Sequence, residues 1–105
     1  MLPTIESVTE AAAAVAAKLP QNTDFRVSIV NAAAKAAYPI SSFTYLLVYE
    51  MQTDAAKGKQ LIEFIKWAIH EGEADAAKLD YAPLPKNVVA MLDKRLGTVK
   101  NVAAK

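Results

Sequence analysis

The sequence predicts an α/β fold of two strands and three to four helices, with too few strands for a finished sheet. Three observations point there. Two short stretches, 25–30 and 43–48, alternate or run apolar in the manner of strands. Three longer stretches repeat apolar residues at steps of three and four, the helical period. Proline, glycine and small polar clusters fall between them.

The first helix is expected over "SVTEAAAAVAAKL", with Ser7 and Glu10 as its capping box. Ile5, Val8, Ala12, Val15 and Leu19 form a narrow apolar stripe, and Pro20 stops the helix at the turn "PQNTD". The first strand, "FRVSIV", alternates Phe25, Val27 and Ile29 against Arg26 and Ser28, as a half-buried or near-edge strand does. A small-residue link, "NAAAKAAYP", follows, and Pro39 pushes Tyr38 toward extended geometry.

The second strand raises a question of numbers. Phe43, Tyr45, Leu47 and Tyr49 lie on one face, Thr44, Leu46 and Val48 on the other, and both faces are largely apolar. That pattern belongs to a strand covered on both sides. Two strands rarely make a stable sheet by themselves. The chain therefore reads as a piece of a larger α/β unit, or as one that finds its missing neighbours on another molecule.

The longest helix is expected from about Asp54 to Gly72, roughly 28 Å long at ~1.5 Å per residue. Leu61, Ile62, Ile65, Ala68 and Ile69 make its stripe, with Phe64 and Trp67 beside it, and Gly72 as its cap. "EADAAKL" suits a short turn or helix. Pro85 suits the first position of a last helix, whose stripe is Val88, Val89, Leu92 and Leu96 and whose end is Gly97. "TVKNVAAK" is expected to fray.

With 105 residues, 53% hydrophobic and 22% charged, the chain can bury one core. A net charge of +1 gives no electrostatic reason to bind nucleic acid, and no nucleic-acid partner is expected. Cysteine is absent, which excludes disulfides and thiolate metal sites. "MLPTIESVTE" lacks the pattern of a signal peptide, and no apolar run approaches a membrane span.

Taken together, "YPISSFTYLLV", "KGKQLIEFIKWAIHEGEADAAKLDYAPLP" and "KNVVAMLDKRL" resemble the C-terminal part of the periplasmic phosphate-binding proteins of bacterial phosphate ABC transporters. Phe64 and Trp67 followed by Asp80 to Pro85 and Val88-Val89 are the stronger marker, and "LPTIESVTEAAAAVA" and "FRVSIVNAAAKAAYPIS" fit the region upstream. The resemblance implies a partial lobe of a two-lobe periplasmic-binding-protein fold, with phosphate held between lobes. Residues 1–105 would form a single C-terminal segment. Its 1–40 region would lie around the crossing between lobes, with Tyr38 to Ser42 near a late crossing. Its 41–105 region would supply a strand and helices that complete one lobe. The implied partners are the missing N-terminal part, and inorganic phosphate and the membrane permease in the full-length context. The implied location is periplasmic.

The family's phosphate contacts are serine and threonine hydroxyls, backbone amides, an arginine and an aspartate, all upstream of the matching region. No position here matches those motifs, so no phosphate-binding residue is assigned, and none as catalytic or metal-binding. No cofactor is expected, and no enzymatic activity. Each suggestive residue has a plainer role. Ser41 and Ser42 read as a polar start to a buried strand. His70, with Glu71 and Glu73 nearby, reads as a solvated histidine at a helix end. Arg26 reads as solvent-facing or ion-paired, and Arg95 is the only other arginine. Phe64 and Trp67 read as core. Tyr81 to Pro85 reads as a rigid connection with Tyr81 packed down. The isolated fragment is expected to form a homo-oligomer through the exposed strand, and two other readings remain: a free-standing self-associating interaction module and, more distantly, a small enzyme using His70 and Glu73.

Overall fold

The computed structural model describes residues 2–20 and 23–101. Helix α1 spans Ile5–Ala16, strand β1 Met51–Gln52, helix α2 Ala55–Ile69, helix α3 Lys86–Leu96 and strand β2 Lys100–Asn101. Two 3-10 helices, Glu71–Asp75 and Ala77–Leu79, fill the link between α2 and α3, where "EADAAKL" called for a short helix. β1 and β2 pair in parallel, Met51 with Lys100 and Gln52 with Asn101. The amide of Lys100, expected to fray, donates to the Glu50 carbonyl at 2.7 Å. The expected fraying of 102–105 lies outside the described residues.

Neither expected strand forms a ladder. In the first, backbone amides are consumed locally. The Phe25 amide donates to Thr23 Oγ1 and that of Arg26 to Asp24 Oδ1. The Val27 amide donates to the Phe25 carbonyl at 2.8 Å, and that of Val30 to Ser28 Oγ. Phe25 and Asn31 have left-handed backbones, φ 64° and 52°, which no strand accommodates. Short polar side chains that bond nearby backbone compete directly with sheet pairing. The alternation survives even so: Phe25 and Ile29 are buried and Val27 half-buried, while Arg26 and Ser28 face out.

The second stretch fails differently. From Ser41 to Tyr49 the chain runs without turn or bend. No backbone N–H or C=O from Thr44 to Val48 has a hydrogen-bond partner among the described residues.

Other boundaries differ by a turn or less. The cap of α1 is Thr4 with Ser7, not Ser7 with Glu10: the Ser7 amide donates to Thr4 Oγ1 and the Thr4 amide to Ser7 Oγ. The face of α1 that buries best is Ser7, Ala11, Ala12 and Ala16, while Ile5 is exposed. Alanine's side chain is a single methyl, too small to hold neighbours off, so the closest approach falls there and not on the larger residues. Asp54 caps α2 by accepting from the Lys57 amide. That helix ends at Ile69, so Gly72 is not its cap. Pro85 stands just before α3 as its cap residue rather than inside its first turn, and Gly97 ends α3 as expected.

Two small apolar clusters hold the chain together. One joins Ala11 and Ala12 to Ile29 and Ala37, with Val15 and Phe43 against it. The other joins Ala16 and Phe25 to Val88, with Leu84, Met91 and Leu92. Two side-chain bonds fasten α1 to the C-terminal third: Thr9 Oγ1 to the Pro83 carbonyl at 3.0 Å, and Asn87 Nδ2 to the Ala13 carbonyl at 3.2 Å. The radius of gyration is 15.2 Å, against about 13 Å for a compact domain of this length. No helix among the described residues is long and apolar enough to cross a membrane.

Candidate functional site

An open apolar groove of about 390 Å³ lies where residues 44–50 pass over α2 and α3. Leu46, Leu47 and Val48 form one wall, Ile65 and Ile69 of α2 another, and Leu92 and Leu96 of α3 the third. Its charged residues are Asp24, Glu50 and Arg95. Two carboxylates beside one guanidinium do not favour an anion. Aliphatic walls favour another apolar segment. Above it Leu46 is 70% exposed, Leu47 98% and Tyr49 84%.

The helix N-termini, the usual anion cradles, are already capped or acidic. Thr4 and Ser7 bond each other's amides at α1, and Glu6 stands in its first turn. The Asp54 carboxylate occupies the start of α2, and the Val88 amide at α3 donates to Asn87 Oδ1.

The serines serve the chain's own backbone. Buried Ser41 donates to the Tyr38 carbonyl at 3.0 Å, and exposed Ser42 to the Phe43 carbonyl at 3.1 Å. Arg26 is solvent-facing and ion-paired, its Nε 2.6 Å from Asp24 Oδ2. The Arg26 amide and guanidinium hold the Asp24 carboxyl below the ordinary carboxylate range.

His70 is exposed at the end of α2, but it is not free. Its Nε2 lies 2.9 Å from both oxygens of Asp93 on α3. Sequence reasoning missed Asp93, which lies 23 positions away and becomes a neighbour only when α3 folds back on α2. Glu73 points the other way, accepting from the Leu84 amide at 2.8 Å. Burial pushes its carboxyl above the ordinary range, against the Leu84 amide and the His70 charge, which pull it down. Glu71 is exposed and joins neither contact. The described residues contain no group of three or more acidic or histidine side chains able to hold a metal. His70 and Glu73 do not share a third partner of the kind a nucleophilic site requires.

Phe64 and Trp67 are not core. They stack on each other, centroids 6.2 Å apart, and remain 59% and 49% exposed. The indole leans over Gly72, where a Cβ would stand 2.9 Å from its ring. Tyr81 is also exposed, 61%, because the 80–85 connection is fastened by its backbone and not by that ring.

The described residues thus offer apolar surface and no assembled anion cradle. In sequence, the chain is related to bacterial and archaeal phosphate-binding proteins. It is 37% identical over 83 residues to the Phosphate-binding protein PstS of Xylella fastidiosa strain 9a5c, a match that takes in 79% of this chain and 23% of the relative. Identity is 28% over 87 residues to PstS of Haemophilus influenzae, 83% of this chain and 26% of the relative. It is 32% over 95 residues to PstS of Methanocaldococcus jannaschii, 82% of this chain and 24% of the relative. No protein-family profile and no solved structure matches the chain significantly. Over about four fifths of its length the chain is homologous to the PstS phosphate-binding proteins. It spans about a quarter of their length.

Proposed function

We propose that this chain is the C-terminal part of a phosphate-binding receptor for ABC-type phosphate uptake, and that its role there is structural. Residues 1–40 form the region around the crossing between lobes, and 41–105 complete one lobe. Phosphate sits on residues of the N-terminal part, and the assembled receptor works in the periplasm beside its permease. Its task is binding, not catalysis. One observation carries this reading: in a chain homologous to a quarter of PstS, the strand-like run 44–48 has no backbone hydrogen-bond partner among the described residues and an apolar groove beside it. That is the edge a sheet assembled from other strands would occupy.

Calorimetric titration tests the reading. The chain alone should show no saturable phosphate isotherm in the micromolar range. Mixed with the N-terminal part of the Xylella fastidiosa relative, it should restore one. Saturable binding by the chain alone, competed by arsenate, would place the site here and overturn the structural role.

A further inference from the structure

We infer that the run from Phe43 to Tyr49 is a self-pairing strand, and that its occupant in the isolated chain is the same run of a second copy. The inference goes beyond the receptor reading and does not depend on it.

The backbone is prepared for pairing. From Thr44 to Val48 no N–H or C=O has a partner among the described residues, and the run has no turn or bend. Such an edge is a template for another chain unless charge, proline or a bulge blunts it. Nothing blunts it here: between Ser41 and Tyr49 there is no charged residue, no proline and no glycine. β-branched, aromatic and leucine residues fill the run, the composition that favours strand pairing.

The partner follows from symmetry and area. A two-fold axis perpendicular to an antiparallel pair sets each residue against one on the same face. An axis through Leu46 pairs all seven residues from Phe43 to Tyr49, with Tyr45 opposite Leu47 and Thr44 opposite Val48. The pairing is isologous and relates two copies, each keeping its outer edge. It also covers surface that a monomer leaves wet. The accessible surface is 7655 Å², whereas a compact monomer of this mass has about 5,700 Å². A specific dimer buries about 1,200–2,000 Å² in total, so the excess on two copies is ample for one. A heterologous strand could use the same edge, but only the second copy is always present at the concentration of the chain itself.

The test is size exclusion with light scattering across a concentration series, joined to hydrogen exchange. Wild type should approach twice its 11.3 kDa mass as concentration rises. Alternate amides of 44–48, those that face the partner strand, should become protected over the same range. Leu46→Lys and Leu47→Lys each put a charge on an exposed position, so the monomer should still fold. Each should weaken association at least tenfold, because the ammonium would be desolvated at the join. Adding the N-terminal part of a PstS relative should compete with dimer if that part uses the same edge. A monomer at every concentration overturns the inference. So does a dimer whose 44–48 amides exchange freely, a dimer indifferent to both lysines, or an open-ended assembly. None of these outcomes touches the phosphate titration, so the two readings fail separately.

Discussion

Residues 25–29 and 44–48 both read as strands in the sequence and have opposite fates. The first run spends its amides on Thr23, Asp24 and its own carbonyls, turns left-handed at Phe25, and buries Phe25 and Ile29 against α1 and α3. The second spends none, keeps straight, and leaves Leu46 and Leu47 in water. Apolar alternation states which side chains want cover. It does not state whether the backbone will be satisfied locally or must wait for a neighbour. That choice lies with the small polar residues around the run: Thr23, Asp24 and Ser28 accept from amides of the first, whereas Ser41 and Ser42 beside the second donate to carbonyls and accept from none of its amides.

Truncation should separate the two runs most sharply. Ile29 is 2% exposed within a small alanine-rich cluster, so Ile29→Ala should cost roughly 2–5 kcal/mol. Leu47 is 98% exposed, and Leu47→Ala, measured at dilutions where the chain is monomeric, should change stability by less than ~0.5 kcal/mol. Urea melts of both variants give the contrast directly. Similar losses would mean that Leu47 is covered in solution and that the two runs share one fate.

A second contrast lies within α2, between buried Ile65 and the half-exposed Trp67. An alanine Cβ at position 72 would meet the indole at 2.9 Å. Gly72→Ala should therefore destabilise by about 1 kcal/mol, the low end for overpacking, because the ring can swing outward. In a Trp67→Ala background the clash is gone and the backbone of Gly72 is ordinary, so the same change should stabilise by about 0.5 kcal/mol. The reversal of sign is the observable. Equal effects in both backgrounds would remove Trp67 from contact with Gly72.

The helices were legible because their stripes repeat over three or four turns, and Val88, Ile65 and Ala12 fall where that period puts the core. The Tyr81–Pro85 link and the short helical turn before it were legible from proline and alanine placement. Tyr81 and Trp67 were misjudged for one shared reason. An aromatic ring on a helix or link is core only where another layer exists to cover it, and a chain with so few elements lacks that layer. The His70–Asp93 pair was illegible because it spans two helices whose crossing no periodicity fixes. The homology to PstS was legible from the motif residues and their order; what the structure adds is that the strand-like run 44–48 has no backbone partner among the described residues.

The His70–Asp93 pair joins α2 to α3 at the surface, with side chains 48% and 39% exposed. Exposed pairs contribute little, so His70→Ala should cost about 0.5 kcal/mol or less. A loss as large as that of Ile29→Ala would make the pair a principal fastening between the helices.

The smallest effect is expected at Glu73, and its sign is fixed by the local geometry. Burial raises its carboxyl in the folded chain, although the Leu84 amide and His70 oppose the rise. The folded state therefore holds this proton more tightly than the unfolded chain does. Where folding binds extra protons, stability falls as pH rises. The loss should begin in the ordinary carboxylate range, near pH ~4.3, and end once pH has passed the raised folded value. Glu73→Gln keeps an oxygen for the Leu84 amide and removes the proton equilibrium. Urea midpoints of the two proteins should then draw apart across that window, the glutamine variant being the more stable at neutral pH. Subtracting one curve from the other isolates Glu73 from every other titrating group. A difference that is flat, or that favours wild type as pH rises, would mean that the Leu84 amide outweighs the loss of water around the carboxylate, and that the α2–α3 link is held by this ion rather than in spite of it.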